Sequence, residues 1–170
     1  MPAELKAVVK QLEQAFNAEA SGFRGQTRLL ISPEHIREAA RALRDKHGFE
    51  RLVALSAVDY WPERKPRFHV VYEFHALKNN LRLELRVPLK GDEPALDSII
   101  EVYAAANWHE RELWDMFGIH INEHPDLRRI LMPEDWVGHP LRKDYPLDYE
   151  EVQFSFNFEE IDLRKPRPKD

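Results

Sequence analysis

The sequence predicts an α+β domain, with helices packed on a mostly antiparallel sheet of about four strands, followed by an extended C-terminal arm. Three observations carry this. Residues 67–77 and 81–89 alternate apolar and polar side chains at period two. Residues 3–16 and 33–47 instead repeat their apolar positions at helical spacing. After Gly118 neither period persists, and Pro125, Pro133, Pro140, Pro146, Pro166 and Pro168 forbid a long helix. The division is therefore 1–118 for the domain and 119–170 for the arm.

Along the chain, Leu5, Val8, Val9, Leu12, Ala15 and Phe16 place one apolar face on a first helix. NAEASGFRGQ then breaks the pattern, and residues 27–31 read as a short strand. Ser32-Pro33 opens a second helix as N-cap and first position, with Ile36, Ala39, Ala40, Leu43 and His47 inward and Gly48 as its stop. Residues 51–61 form a mostly buried strand. The two alternating strands follow, joined at residues 78–80 by KNN as an antiparallel hairpin, and Pro88 puts the end of the second at an edge. SIIE (98–101) and NWHE (107–110) read as capping boxes for two short helices, about 99–105 and 108–117, the second closed by Gly118.

Within the arm, residues 119–147 hold many large apolar anchors, from Ile119 to Trp136 and Tyr145, which argues against disorder and for an extended segment held by a partner. VQFSFNF (152–158) is a strand with one apolar face, expected to pair with this sheet or with another subunit.

Composition narrows the function. A charged fraction of 32% and a formal net charge of -5, with both signs interspersed, give neither a membrane span nor the basic face of a nucleic-acid binder. The N-terminal stretch lacks the pattern of a secretion signal. There is no cysteine, so no disulfide, no thiolate-ligated iron–sulfur cluster and no thiol nucleophile. The six glycines form neither a dinucleotide fingerprint nor a phosphate loop.

Residues 109–112, HERE, begin like a zinc-protease helix but continue with Leu113 where the second histidine would stand. The expectation is a charged helix surface with pairs such as Arg111–Asp115. Capping and the helix dipole account for Glu110, Glu112 and Asp115, and nothing in the sequence marks one acid as desolvated beside an ionised one. His120, His124 and His139 lack metal-ligand spacing and are expected to hydrogen-bond to backbone or carboxylates. No catalytic, cofactor-binding or metal residue is expected. Arg128, Arg129, Trp136, His139, Arg142, Lys143, Asp144 and Tyr145 have the Arg, Trp and Tyr character of interface anchors.

Glu110-Arg111-Glu112, Asp115, Met116-Phe117-Gly118, His124-Pro125, Leu127-Arg128-Arg129-Ile130-Leu131 and His139 through Pro146 form one ordered set. Together they resemble the signature region of the C subunit of the proton-pumping NADH:quinone oxidoreductase, respiratory complex I. The resemblance runs from about Phe49 to Leu147. It implies a non-redox structural subunit of the peripheral arm, with Glu110, Arg111, Glu112, Asp115, Phe117, Gly118 and His124 as structural signature. The docking set named above, with Phe154 and Phe156, would then face subunits D and B. Flavin (FMN), iron–sulfur clusters and quinone would belong to partner subunits. Contact with the cytoplasmic face of the inner membrane would come only through the complex. The alternatives are an equivalent subunit of a membrane-bound hydrogenase or non-NADH quinone reductase, and more distantly a free-standing metal-dependent hydrolase.

Overall fold

A computed structural model describes residues 2–63 and 65–146. Helix α1 (Ala3–Phe16) leads into strands β1 (Glu19–Phe23) and β2 (Gln26–Leu30). A 3-10 turn, Pro33–His35, opens α2 (Ile36–His47). Strands β3 (Arg51–Asp59), β4 (Phe68–Ala76), β5 (Leu81–Leu89) and β6 (Ala95–Asp97) follow, then α3 (Ala106–Phe117) and β7 (His120–Asn122). The main sheet has five strands in the order β1-β2-β5-β4-β3. All its pairs are antiparallel except β2 with β5, and β6 and β7 make a separate parallel pair.

The alternation read from the sequence sets the register. Phe68, Val70, Tyr72, Phe74 and Ala76 of β4 stand opposite Leu89, Val87, Leu85, Leu83 and Leu81 of β5, and all are buried. Leu52 and Leu55 extend this inner face onto β3. Leu5, Val9 and Leu12 of α1, Ile36, Ala39, Ala40 and Leu43 of α2, and Leu113, Met116 and Phe117 of α3 close over it as one core. Pro88 lies past Arg86, the last β5 residue paired with β2, where its missing N–H leaves no gap in that ladder.

Three local expectations change. The segment read as a break is a hairpin, because Arg24 and Gly25 both take positive φ (48° and 82°), the two-residue turn that matches strand twist. The helix expected over 99–105 is a run of turns, in which Val102 and Tyr103 donate to the Ile99 carbonyl. Ser98 does accept from the Ile100 amide, but its reciprocal partner is Glu110 rather than the exposed Glu101. The second capping box also fails to form. α3 starts two residues earlier, at Ala106, with no side-chain cap, because the preceding turns already engage the first amides through Ala106 N–H to Tyr103 O and Asn107 N–H to Ala104 O.

A candidate docking site on helix α3 and the segment after it

The helix that carries the signature acids buries them. Glu110 and Asp115 are wholly inaccessible and Arg111 nearly so, which corrects the expectation of a solvated charged face. The Arg111–Asp115 pair is not made. Arg111 donates through Nε and Nη2 to the carbonyls of Arg128 and Arg129, at 3.1 and 2.9 Å, and stacks on the exposed Trp108 ring. Asp115 Oδ2 accepts from the amides of Ile130, Leu131 and Met132, at 3.0, 2.8 and 3.0 Å, while Oδ1 accepts from Arg129 at 2.6 Å. One carboxylate thus gathers three successive amides and a guanidinium, an arrangement that needs an ionised acid.

Burial alone would raise Asp115. The amides of Met132 and Leu131, the Arg129 side chain and the Ile130 amide outweigh it and hold Asp115 below the ordinary range. Glu110 goes the other way, since burial pushes it up and hydrogen bonds from Ser98 (2.6 Å) and the Ile99 amide (2.7 Å) only partly counter this. Two acids five residues apart are therefore shifted in opposite senses, contrary to the sequence expectation. Neither faces an open cavity. Glu110 lies among Ser98, Ile99 and the buried His124 ring, whose Nε2 is 3.9 Å away. His124 Nδ1 accepts from the Asp126 amide, and burial holds this ring below its usual value.

A pH prediction follows from these shifts. Glu110 binds its proton more tightly folded than unfolded, so its contribution to stability is greatest below 4.5 and is lost as pH rises through the folded value. Asp115 contributes in the opposite sense, fully above 3.8 and progressively less as pH falls through its lowered value. Urea unfolding over about pH 4 to 7 should show Glu110→Gln gaining stability relative to the parent as pH rises. A difference that stays constant across this range would contradict the burial argument.

Residues 128–146, the strap, are held further by bonds within the strap and at two places on the body. Arg129 also donates to the Trp136 and Gly138 carbonyls, at 2.7 and 3.2 Å. His139 Nδ1 donates to the Asp115 carbonyl, and the Leu141 amide to the Met116 carbonyl. At the far end Asp144 pairs with Arg67, Lys143 N–H donates to Asp59, and Arg142 donates to the Asp92 carbonyl.

Gly118 makes the crossing possible. Its φ of +69° ends α3, and an added Cβ would lie 2.5 Å from the His139 ring. Gly118→Ala should cost more than about 1 kcal/mol through the combined φ and contact strain, read as a lowered unfolding midpoint at unchanged slope.

Arg67 is the residue that sequence reading misses. Wholly buried, it meets Asp59 through two hydrogen bonds of 3.1 Å, Asp92 at 2.6 Å and Asp144 at 2.7 Å, and it lies over the Trp61 and Phe68 rings. Burial opposes its charge, yet the three aspartates outweigh this and raise its pKa, so it stays charged. The available signal is Asp59 and Arg67 at facing ends of the β3–β4 hairpin.

The remaining predicted residues are placed as follows. Glu112 and Trp136 are half-buried, Arg128 is exposed beside Asp126, and the Tyr145 ring lies against Gly138. Phe154, Phe156 and the strand 152–158 lie outside the described residues. The strap's outer surface carries charged residues such as Arg128, Glu134, Asp135 and Lys143, and among them stand Leu131, Val137 and Leu141 at 63, 86 and 51% exposure. Trp136, Val137, His139, Arg142 and Tyr145 also line an open groove of about 1050 Å³. Among the described residues no three His, Cys, Asp or Glu side chains gather as a metal-ligand group, and no helix is long and apolar enough to cross a membrane.

The family model for the respiratory-chain NADH dehydrogenase 30 kDa subunit matches residues 29–151. The C subunit of NADH-quinone oxidoreductase from Roseiflexus castenholzii is 47% identical over 153 residues, covering 89% of this chain and 87% of that one. Its counterpart from Rhodobacter capsulatus is 42% identical over 168 residues, covering 94% and 83%. Among solved structures, the trypsin-resistant fragment (1–134) of Nqo5 superimposes with a TM-score of 0.65 at 28% identity, over 73% of this chain and 99% of the fragment. A chain of an archaeal membrane-bound sulfane sulfur reductase shares the fold, with a TM-score of 0.69 at 20% identity, over 98 and 95%. The chain belongs to the 30 kDa, or C, subunit family of NADH-quinone oxidoreductase, the respiratory complex I.

Proposed function

We propose that this chain is a non-redox structural subunit of the peripheral arm, which docks on the quinone-module subunits D and B through the outer surface of the strap. The observation that carries the reading is the division of labour within residues 128–146. The strap's main charged and hydrogen-bonding anchors (Arg129, His139, Arg142 and Asp144) are used inside the chain, whereas Leu131, Val137 and Leu141 are left in solvent. Large apolar groups concentrated on one ordered segment mark a protein-interaction surface. The internal bonds preorganise that surface, so little ordering cost is left for assembly.

The absence of cysteine agrees with clusters being held elsewhere, and FMN, iron–sulfur clusters and quinone are assigned to the partner subunits. Membrane contact, at the cytoplasmic face, then comes through the complex alone, and nucleic acid is not a partner. Phe154 and Phe156 are proposed to extend the same docking surface.

The test is a paired substitution, Leu131→Asp with Val137→Asp. Because both side chains are exposed, the purified chain should melt as the parent does. Its recovery in the complex should fall about tenfold or more, the equivalent of about 1.4 kcal/mol, while turnover per assembled complex stays unchanged. Normal assembly with slowed turnover would sink the structural reading and give the strap a part in the reaction.

A further inference from the structure

The main sheet ends on two unlike edges. β1, at one side, is five residues long and carries Glu19 and Gly22. β3, at the other, is nine residues long, about 30 Å. Between Val53 and Val58 it contains no charged residue and no proline. Exposed edges are normally blunted by lysine, by proline or by shortness. β3 has none of these over 53–58, only a register shift between Leu52 and Ala54 at its beginning.

Among the described residues, the β3 backbone over 51–58 pairs with β4 and with no strand on its other side. α3 packs against β3, and its buried Leu113, Met116 and Phe117 join the inner-face core. Even so, Val53, Val58 and Tyr60 remain 40, 37 and 37% exposed.

The outer face of the sheet is divided in the same sense. Around β5 it is charged, with Arg28, Glu84 and Arg86 joined in a chain of ion pairs. Beside the β3 edge, Ser56 stands opposite Val71 and Val58 opposite His69, while Ala54 stands opposite Glu73. Burial and the neighbouring Arg86 hold the His69 ring below its usual pKa, so the ring opposite Val58 is neutral, while Arg86 itself donates to the Tyr60 hydroxyl.

We infer that the β3 edge receives an extended, uncharged strand of a partner subunit, added as a sixth strand with apolar side chains over Val58 and Tyr60. Main-chain hydrogen bonds along the edge supply the affinity, and the uncharged run 53–58 with its exposed Val53 and Val58 selects the side chains. A second copy of this chain fits less well, because the register shift would limit a regular two-fold β3–β3 ladder to the residues from Ala54 onward. The inference rests on the chain working inside the assembled complex.

Hydrogen exchange on the purified complex and on the free full-length chain tests it. The β3 amides that face away from β4 should exchange about tenfold or more slowly in the complex, while β1 amides stay unchanged. Ser56→Lys with Val58→Lys should leave the free chain's melting unchanged and lower its recovery in the complex about tenfold. The inference is overturned by equal β3 exchange in complex and free chain, by protection already complete in the free monomer, which would make the chain its own occupant, or by protection that appears only on self-association. A chain that never enters the complex overturns both this inference and the docking reading. Normal assembly with unprotected β3 amides overturns this inference alone.

Discussion

Arg67→Ala is expected to lower folding stability by about 3–5 kcal/mol, the cost of breaking a buried ion pair by removing one partner. The effect is large because Asp59 is itself buried and would keep its charge with only the Trp61 and Lys143 amides as donors. Asp144→Asn touches the same cluster but should cost only about 1 kcal/mol, since that carboxylate is 35% exposed and water can replace part of what it loses. Denaturant midpoints at unchanged slope read both values. Equal effects at the two positions would mean that Arg67 serves mainly as the anchor of the strap. The larger effect at Arg67 would place its main role in closing the β3–β4 hairpin.

Asp115→Ala should be comparably severe, also about 3–5 kcal/mol. It strips one acceptor from three amides and leaves the half-buried Arg129 without its carboxylate. Asp115→Asn retains an oxygen for the amides but turns an amide group toward a guanidinium, so an intermediate loss is expected. Trypsin gives a local readout. Arg129 is 11% exposed and should become a cleavage site in the alanine variant, whereas Arg128, at 65%, is open to attack in the parent. An alanine variant in which Arg129 stays protected would show that the strap is held mainly by its apolar contacts, among them Leu127 and Met132.

What is legible in the sequence is periodic or local. The β4–β5 register follows from alternation between Phe68 and Leu89, and the helix stops at Gly48 and Gly118 follow from positive φ. β1 escapes because its five residues are all exposed and carry no apolar period. Only the Arg24-Gly25 turn signals it. Glu110 is misread because a glutamate three residues into a helix looks the same whether it caps its own turn or reaches Ser98, brought beside it by the turns between them. The Arg67–Asp144 contact joins residues far apart in the chain, and no local pattern announces a pair at that separation. Residues 119–147 read as anchors for a partner because their lack of period excludes self-made secondary structure. That lack does not exclude hydrogen bonds to a helix already in place, which is what Asp115 and Arg111 supply.

The opposite shifts of Glu110 and Asp115 illustrate how burial and hydrogen bonding compete on one helix. Asp115 meets four donors and stays ionised, whereas Glu110 meets two and is pushed toward its neutral form. Such a pair would suggest acid–base chemistry if it opened on a cleft. Here both carboxyls are sealed in the core.

We propose above all that this chain works as a docking subunit whose strap faces its neighbours. Affinity purification of the tagged chain from its native membranes, followed by cross-linking and mass spectrometry, tests it most directly. The expected result is co-purification with NADH:quinone oxidoreductase activity and the D and B subunits, with cross-links from Lys143 on the strap. Recovery of the chain free of those subunits, or in a complex whose cross-links avoid the strap, would contradict the account.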